Sequence, residues 1–262
     1  MKDTAIKAAR LAGKLLIDNL GKITSRDVER KRKFDFVTEI DLESERLIIN
    51  TIKQRFPEHA IFSEESAKES VRGQYRWIID PLDGTTNYIH GYPAFAVSIA
   101  LEFKQEIILG VIYDPLRDEL FYAKKGGGAF LNGKAIHVSH ISELKDSLLA
   151  TGFPFRVKEY LDIYLKAFAS LFHRVSGIRR AGSAALDFAH LACGRCDGFW
   201  EIGLSPWDIA AGSVLIEEAG GLITDFGGGH RHIWTGNVVA GNKFIHDEVL
   251  KVVKEVFQDS LD

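Results

Sequence analysis

Two cysteines in 262 residues are too few for a disulfide framework, so the scaffold must be held by its own core. Long apolar runs are missing too. The best, Ala94 to Leu101, falls far short of the ~18 residues of a membrane span. There is no excess of positive charge: 33 Lys and Arg against 36 Asp and Glu leave a net charge of −3. No global basic field therefore exists to drive nucleic-acid binding. The N-terminal MKDTAIKAARLAG lacks the uninterrupted apolar core of a secretory signal and reads as an amphipathic helix. With so few cysteines, a cytoplasmic setting is the expectation. Internal repeats, low-complexity tracts and long linkers are also absent.

What is present is ordinary globular material, 46% hydrophobic and 26% charged. At about 150 residues per domain the length suits one large domain or two small ones, and we expect a boundary near 145. Ile6, Ala9, Gly13, Leu16, Ile17 and Leu20 recur at helical spacing. A second helix is expected from Thr38 to just before Pro57. Trp77 to Asp80 reads as a strand, and Ala94 to Ala123 as an antiparallel meander. Leu148 to Thr151 opens the second half. There, helical stretches (159–172, 183–193, 206–219, 243–257) alternate with short strands (178–180, 198–202, 222–224, 238–240). The expectation is an α+β N-terminal half, 1–145, and an α/β C-terminal half, 146–262, in layers.

The most informative segment is Trp77-Ile-Ile-Asp80-Pro81-Leu82-Asp83-Gly84-Thr85-Thr86-Asn87. Asp80 sits where an apolar strand leaves the core, and Pro81 cannot continue the ladder. Asp83 follows about one turn later, so both carboxylates can face one point. Two close anions repel, and a multivalent cation relieves that repulsion. Oxygen-only ligands favour Mg²⁺ over zinc. Gly84-Thr85 at a helix start offers N–H groups to an anion such as phosphate. The plainer alternative is a strand–turn–helix junction with Asp83 as an N-cap. Plain readings exist elsewhere as well: Asp41 as first-turn helix chemistry, Glu64 and Glu65 in a solvated loop, Asp208 as an N-cap.

Taken jointly, WIIDPLDGTTNY and SPWDIAAGSVLIEEAGG closely resemble the two signatures of the inositol monophosphatase family. DFVTEID around Asp41 and SEES around Glu64 match two further stations in the right order, and GVIYDPLRDELFYA, GGAFLNG and GSAA extend the resemblance over nearly the whole chain. It implies a layered αβαβα sandwich and a Mg²⁺-dependent, Li⁺-sensitive phosphomonoesterase, usually a homodimer. Carried over by position, Glu64, Asp80 and the carbonyl of Leu82 would hold a first metal. Asp80, Asp83 and Asp208 would hold a second, and Glu64 a weaker third through water. Thr85, paired with Asp41, would orient the attacking water. The amides of Gly84 and Thr85 would bind phosphate. Glu201 and the stretch Gly182-Ser183-Ala184 would meet the substrate's hydroxyls, with Asp83 and Asp208 also at the substrate. Inositol-1-phosphate is the implied substrate, with fructose-1,6-bisphosphate as the alternative. Two positions depart from the family pattern: Ser183, often threonine, and Ser63, where glycine is common.

Several segments invite other readings. Gly128-Ala-Phe-Leu-Asn-Gly133-Lys134-Ala135 nearly spells a P-loop but lacks the Mg²⁺-binding Ser/Thr; Asn132-Gly133 reads as a hairpin turn. Cys193-Gly-Arg-Cys196 has no second pair to complete a zinc site and reads as structural. His137, His140, His230 and His232 are expected in loops or at strand edges. The Arg30–Lys33 cluster admits three readings: a solvated arm, a loop closing over phosphate and metal, or a contact with RNA or the transcription machinery. Bacterial relatives have been linked to transcription.

Overall fold

In this computed structural model residues 1–22, 28–32, 35–66 and 73–258 are described, residues 28–32 and 35–37 by their backbone alone. Side chains alternate along each central strand, and that alternation builds the layers. In the strand Tyr75–Asp83, Trp77 and Ile79 face one core and Ile78 the other. Further on, Leu149, Trp200 and Val239 face a third core, while Ala150, Phe199, Val238 and Ala240 face back. Strands buried on both faces read as continuous apolar runs.

Seven strands form the first sheet in chain order: Ala60–Ser63, Tyr75–Asp83, Ala96–Phe103, Glu106–Asp114, Glu119–Lys124, Ala129–Leu131 and Lys134–Ile136. The first pair is parallel and the rest antiparallel. The second sheet is ordered Gly177–Arg179, Leu148–Thr151, Gly198–Glu201, Val238–Gly241, Leu222–Thr224, parallel for two pairings and then antiparallel. Helices Lys2–Asn19 and Glu39–Lys53 cover the outer face of the first sheet. Helices Ala184–Ala192 and Pro206–Glu218 lie between the sheets. Helices Leu161–Phe172 and Lys243–Phe257 cover the outer face of the second. The order is α-β-α-β-α, the layered class expected. Pro206–Glu218, sandwiched on both sides, buries an unbroken run from Asp208 to Ile216. A helix apolar all round belongs in such a place. No helix among the described residues is long and apolar enough to cross a membrane.

The smaller expectations fare unevenly. Asn132 (φ 48°) and Gly133 (φ 80°) turn the hairpin between Ala129–Leu131 and Lys134–Ile136, as their left-handed tolerance suggests. Cys193 and Cys196 carry free thiols. Burial pushes the Cys196 thiol up to about 12, which disfavours a reactive thiolate. Val28–Arg32 pairs antiparallel with Asp35–Thr38. The side chains of Arg30, Lys31 and Arg32, and all of Lys33, lie outside the described residues, so the three readings of that cluster stay open. The strand Ala60–Ser63 was not expected.

His232 corrects the reading of the histidines. It is 5% exposed at the start of the helix His232–Thr235, and neither ring nitrogen has a hydrogen-bond partner among the described residues. Burial pushes its pKa down from 6.5 to about 4. The unfolded chain would therefore take up a proton near pH 6.5 that the folded one refuses until about pH 4. Stability is full above that window and falls as the pH drops through it, by about 3 kcal/mol at pH 4. Urea denaturation at pH 7 and pH 4 should show this component in the wild type and its loss in His232→Gln. An equal acid response in both proteins would contradict it.

Candidate active site

The acidic site begins at an irregularity in a strand. Asp80 pairs with Ser98 and Asp83 with Ala96, so three steps on one strand oppose two on the other. This bulge falls at Pro81 and re-aims the strand end. The Leu82 amide donates to Asp80 Oδ1 at 3.0 Å and tightens the turn. Asp83 is the last strand residue. Gly84, at φ 95°, is the N-cap of the helix Thr85–Ile89, so the N-cap alternative for Asp83 does not hold. A Cβ at Gly84 would lie 2.9 Å from the Ala94 carbonyl oxygen, which bars any side chain there.

Asp208 reaches the same point from the second half. It stands at the third position of the helix Pro206–Glu218, in a capping box with Ser205, and is not itself the cap. Ligand oxygens of Asp80, Asp83 and Asp208 all lie within 4.8 Å of one another, and all three residues are buried. Each carboxylate has one oxygen tied back. Asp83 Oδ2 accepts from Ser183 Oγ at 2.5 Å and the Ala185 amide at 2.8 Å. Asp208 Oδ2 accepts from the Ser205 amide at 2.7 Å and Arg156 Nη1 at 2.6 Å. With Asp80 Oδ1 held by Leu82, one oxygen per carboxylate remains for the shared point.

The electrostatics are those of crowded, buried anions. Burial, then Glu64, Asp83 and Asp208, push the Asp80 carboxyl well above the usual range. Burial and Asp208 push Asp83 up to about 7. Keeping such groups ionised at neutral pH requires a counter-charge. An all-oxygen, pre-oriented, buried donor set suits a hard divalent cation, so the residues present fit a metal.

Other expected residues gather around this point. Glu64 is 10% exposed at its side chain, and its carboxylate is the charge that bears most on Asp80. Asp41 serves two purposes. Its Oδ2 accepts from the Thr38 amide (2.9 Å) and hydroxyl (2.5 Å) in a capping box, and its Oδ1 accepts from Thr85 Oγ1 at 3.1 Å. Thr85 Oγ1 is also 3.2 Å from the Leu82 carbonyl. The Ser44 hydroxyl donates to the Pro81 carbonyl at 2.9 Å. Ser63, one of the two departures, donates to Glu45, which also accepts from the Ser66 amide and so fixes the turn carrying Glu64. Ser183, the other, spends its proton on Asp83 while accepting from the Leu186 amide as a helix cap. Asn87 Nδ2 donates to Ala94, Ala181 and Gly182 carbonyls and ties the two halves together.

A cleft of about 830 Å³ opens here, lined by Glu64, Asp80, Leu82, Asp83, Gly84, Thr85, Gly182, Ser183, Ala184, Glu201 and Asp208. Asp41 reaches it through Thr85. Burial and Asp208 push Glu201 up to about 8. A Cβ at Gly152 would stand 1.8 Å from Glu201 Oε1, so glycine there makes room for the carboxylate. Gly152, Arg156, Arg180 and Asp187 are among the lining residues that went unread in the sequence. Arg156 also lies 4.0 Å from Glu64, and the Arg180 guanidinium sits over Phe153 and Phe155. For Asp187 a signal existed, a lone acid within the apolar run SAALDFAHLA.

Comparison with known proteins gives the family. Residues 1–258 match the inositol monophosphatase family. The chain is 46% identical over 262 residues to Nus factor SuhB of Escherichia coli, covering 100% of this chain and 98% of that one. It is 44% identical over 251 residues to inositol-1-monophosphatase of Mesorhizobium japonicum, covering 95% and 94%. Among solved structures, extragenic suppressor protein suhB from Bartonella henselae superposes with a TM-score of 0.92 at 42% identity, covering 97% and 98%. Inositol monophosphatase from Anabaena gives 0.88 at 45% identity, covering 99% and 97%.

Proposed function

Because the chain belongs to the inositol monophosphatase family, a family of metal-dependent phosphatases, we propose that it is a cytoplasmic, homodimeric, Mg²⁺-dependent phosphatase acting on myo-inositol-1-phosphate. The convergence of Asp80, Asp83 and Asp208 from distant stretches carries the reading. In this reading Glu64, Asp80 and the Leu82 carbonyl hold one Mg²⁺. Asp80, Asp83 and Asp208 hold another, and Glu64 supports a weaker third through water. Bound there, the metals supply a water acidified from 15.7 toward about 7 and a counter-charge for the leaving alkoxide.

The chain's own groups do the positioning. Thr85 Oγ1 donates its hydrogen bond to Asp41 Oδ1, so its lone pairs can accept from the attacking water and hold it in line. The Gly84 and Thr85 amides receive the phosphate oxygens. Arg156 and Arg180, flanking the cleft, draw a dianionic ester toward it. Glu201 and the Gly182–Ala184 stretch take the hydroxyls of the leaving group.

A phosphate-release panel tests the substrate. Inositol-1-phosphate, fructose-1,6-bisphosphate, 3′-phosphoadenosine-5′-phosphate and histidinol phosphate are compared with Mg²⁺, with EDTA, and with Mg²⁺ plus millimolar Li⁺. The expected order puts inositol-1-phosphate first, with loss in EDTA and inhibition by Li⁺. A higher kcat/KM for fructose-1,6-bisphosphate would move the assignment to that ester. No release from any ester would remove the phosphatase reading.

A second reading, association with RNA or the transcription machinery, is favoured by the identity with proteins named Nus factor SuhB. Such binding should weaken steeply with salt and survive Asp80→Asn, whereas the hydrolysis should not survive it.

A further inference from the structure

Two carboxyl groups in the cleft have no work assigned by the chain itself. Asp187 is 3% exposed, one turn into the helix Ala184–Ala192, and its side chain lines the cleft. Its amide donates to the Ser183 carbonyl, but its carboxyl has no hydrogen-bond partner among the described residues. Nor does it cap its helix, because Ser183 already does so. The carboxyl of Glu201, at the end of the strand Gly198–Glu201, is likewise without a hydrogen-bond partner among the described residues, and Glu201 lines the same cleft. Of all charges, Glu201 bears most strongly on Asp187. Neither carboxyl is fully enclosed; both reach the cleft, where a ligand can pair with them. An aliphatic residue would fill position 187 at lower cost, as in the rest of SAALDFAHLA. The unpaired carboxyl is therefore better explained by a ligand than by the fold.

We propose that Asp187 is a specificity-determining residue which, beside Glu201, accepts or exchanges hydrogen bonds with the hydroxyls of a polyol leaving group. The inference rests on the phosphatase reading above and adds a residue that selects the leaving group. Phosphate and metal chemistry lie with Asp80, Asp83, Asp208 and Thr85. Asp187 should therefore govern which ester is chosen and leave the cleavage machinery in place. A site built to hydrogen-bond a hydroxyl discriminates strongly against ligands that lack it.

The test compares inositol-1-phosphate with phenyl phosphate, whose leaving group has no further hydroxyl, in wild type, Asp187→Ala and Asp187→Asn. Asp187→Ala should lower kcat/KM for inositol-1-phosphate by roughly 10- to 100-fold, mostly through KM, and that for phenyl phosphate by less than about 2-fold. Asp187→Asn keeps the shape and one acceptor oxygen and should fall between; it carries the test if the alanine variant does not fold. A selectivity ratio unchanged from wild type, whether both rates fall together or neither does, overturns the proposal and leaves the phosphatase reading intact. A wild type without preference for inositol-1-phosphate overturns both the polyol assignment and this inference.

Discussion

Asp80→Asn should lower phosphate-ester turnover by about 10³-fold or more while making the metal-free protein more stable. Asp80 is the carboxylate most crowded by others, with Glu64, Asp83 and Asp208 all raising the cost of its charge. Its two oxygens divide the work between the Leu82 amide and the shared point. Asparagine keeps the shape and the bond from Leu82 but offers a neutral, weaker oxygen to a cation. Cation affinity and activity should fall together. In EDTA, removing one buried anion from a repelling set should raise the melting temperature by several degrees, about 1 kcal/mol or more. The two effects have opposite signs, which separates loss of a ligand from misfolding. Lower stability in EDTA, or turnover within about 10-fold of wild type, would contradict the role given to Asp80.

Gly110→Val should cost about 3 kcal/mol or more of stability. Gly110 lies in the middle of the strand Glu106–Asp114, where the helix Pro206–Glu218 crosses the first sheet. A Cβ there would stand 2.4 Å from the Ala211 carbonyl oxygen and 2.7 Å from Val214 Cγ1. Backbone cannot yield as a flexible side chain does, so either the helix is pushed outward or the domain unfolds. The same helix carries Asp208 three residues before Ala211. Any surviving folded protein should therefore bind divalent cations less tightly than wild type. Urea denaturation gives the first effect and isothermal titration the second. A midpoint within experimental error of wild type would show that the close approach is not required.

Local chemistry made much of the fold legible. The spacing of Ala9, Gly13 and Leu16 marks the first helix, and the apolar runs from Ala94 to Ala123 mark the meander. Ala60–Ser63 was missed because a four-residue edge strand followed by Ser-Glu-Glu-Ser looks like a loop, and its pairing with Arg76–Ile79 is non-local. The capping roles were partly misread. Short polar residues before a helix all look like caps, and only the fold shows that Ser205 and Gly84 occupy those places beside Asp208 and Asp83. In the site, the acidic residues were legible through their motifs. Most of the bonds that aim them were not, since Ser183 and Asp83 are 100 positions apart and Arg156 and Asp208 are 52 apart; only the Thr85–Asp41 pair came with the motifs. His232 shows the converse limit, because nothing local marks a histidine that the fold will bury without a partner.

The decisive measurement is anomalous diffraction from crystals soaked in Mn²⁺, a redox-quiet substitute for Mg²⁺ with a usable X-ray signal. A strong anomalous peak should lie within about 2.0–2.3 Å of carboxylate oxygens of Asp80, Asp83 and Asp208 and vanish in Asp80→Asn crystals. Peaks only elsewhere on the protein, or none at saturating Mn²⁺, would contradict the account.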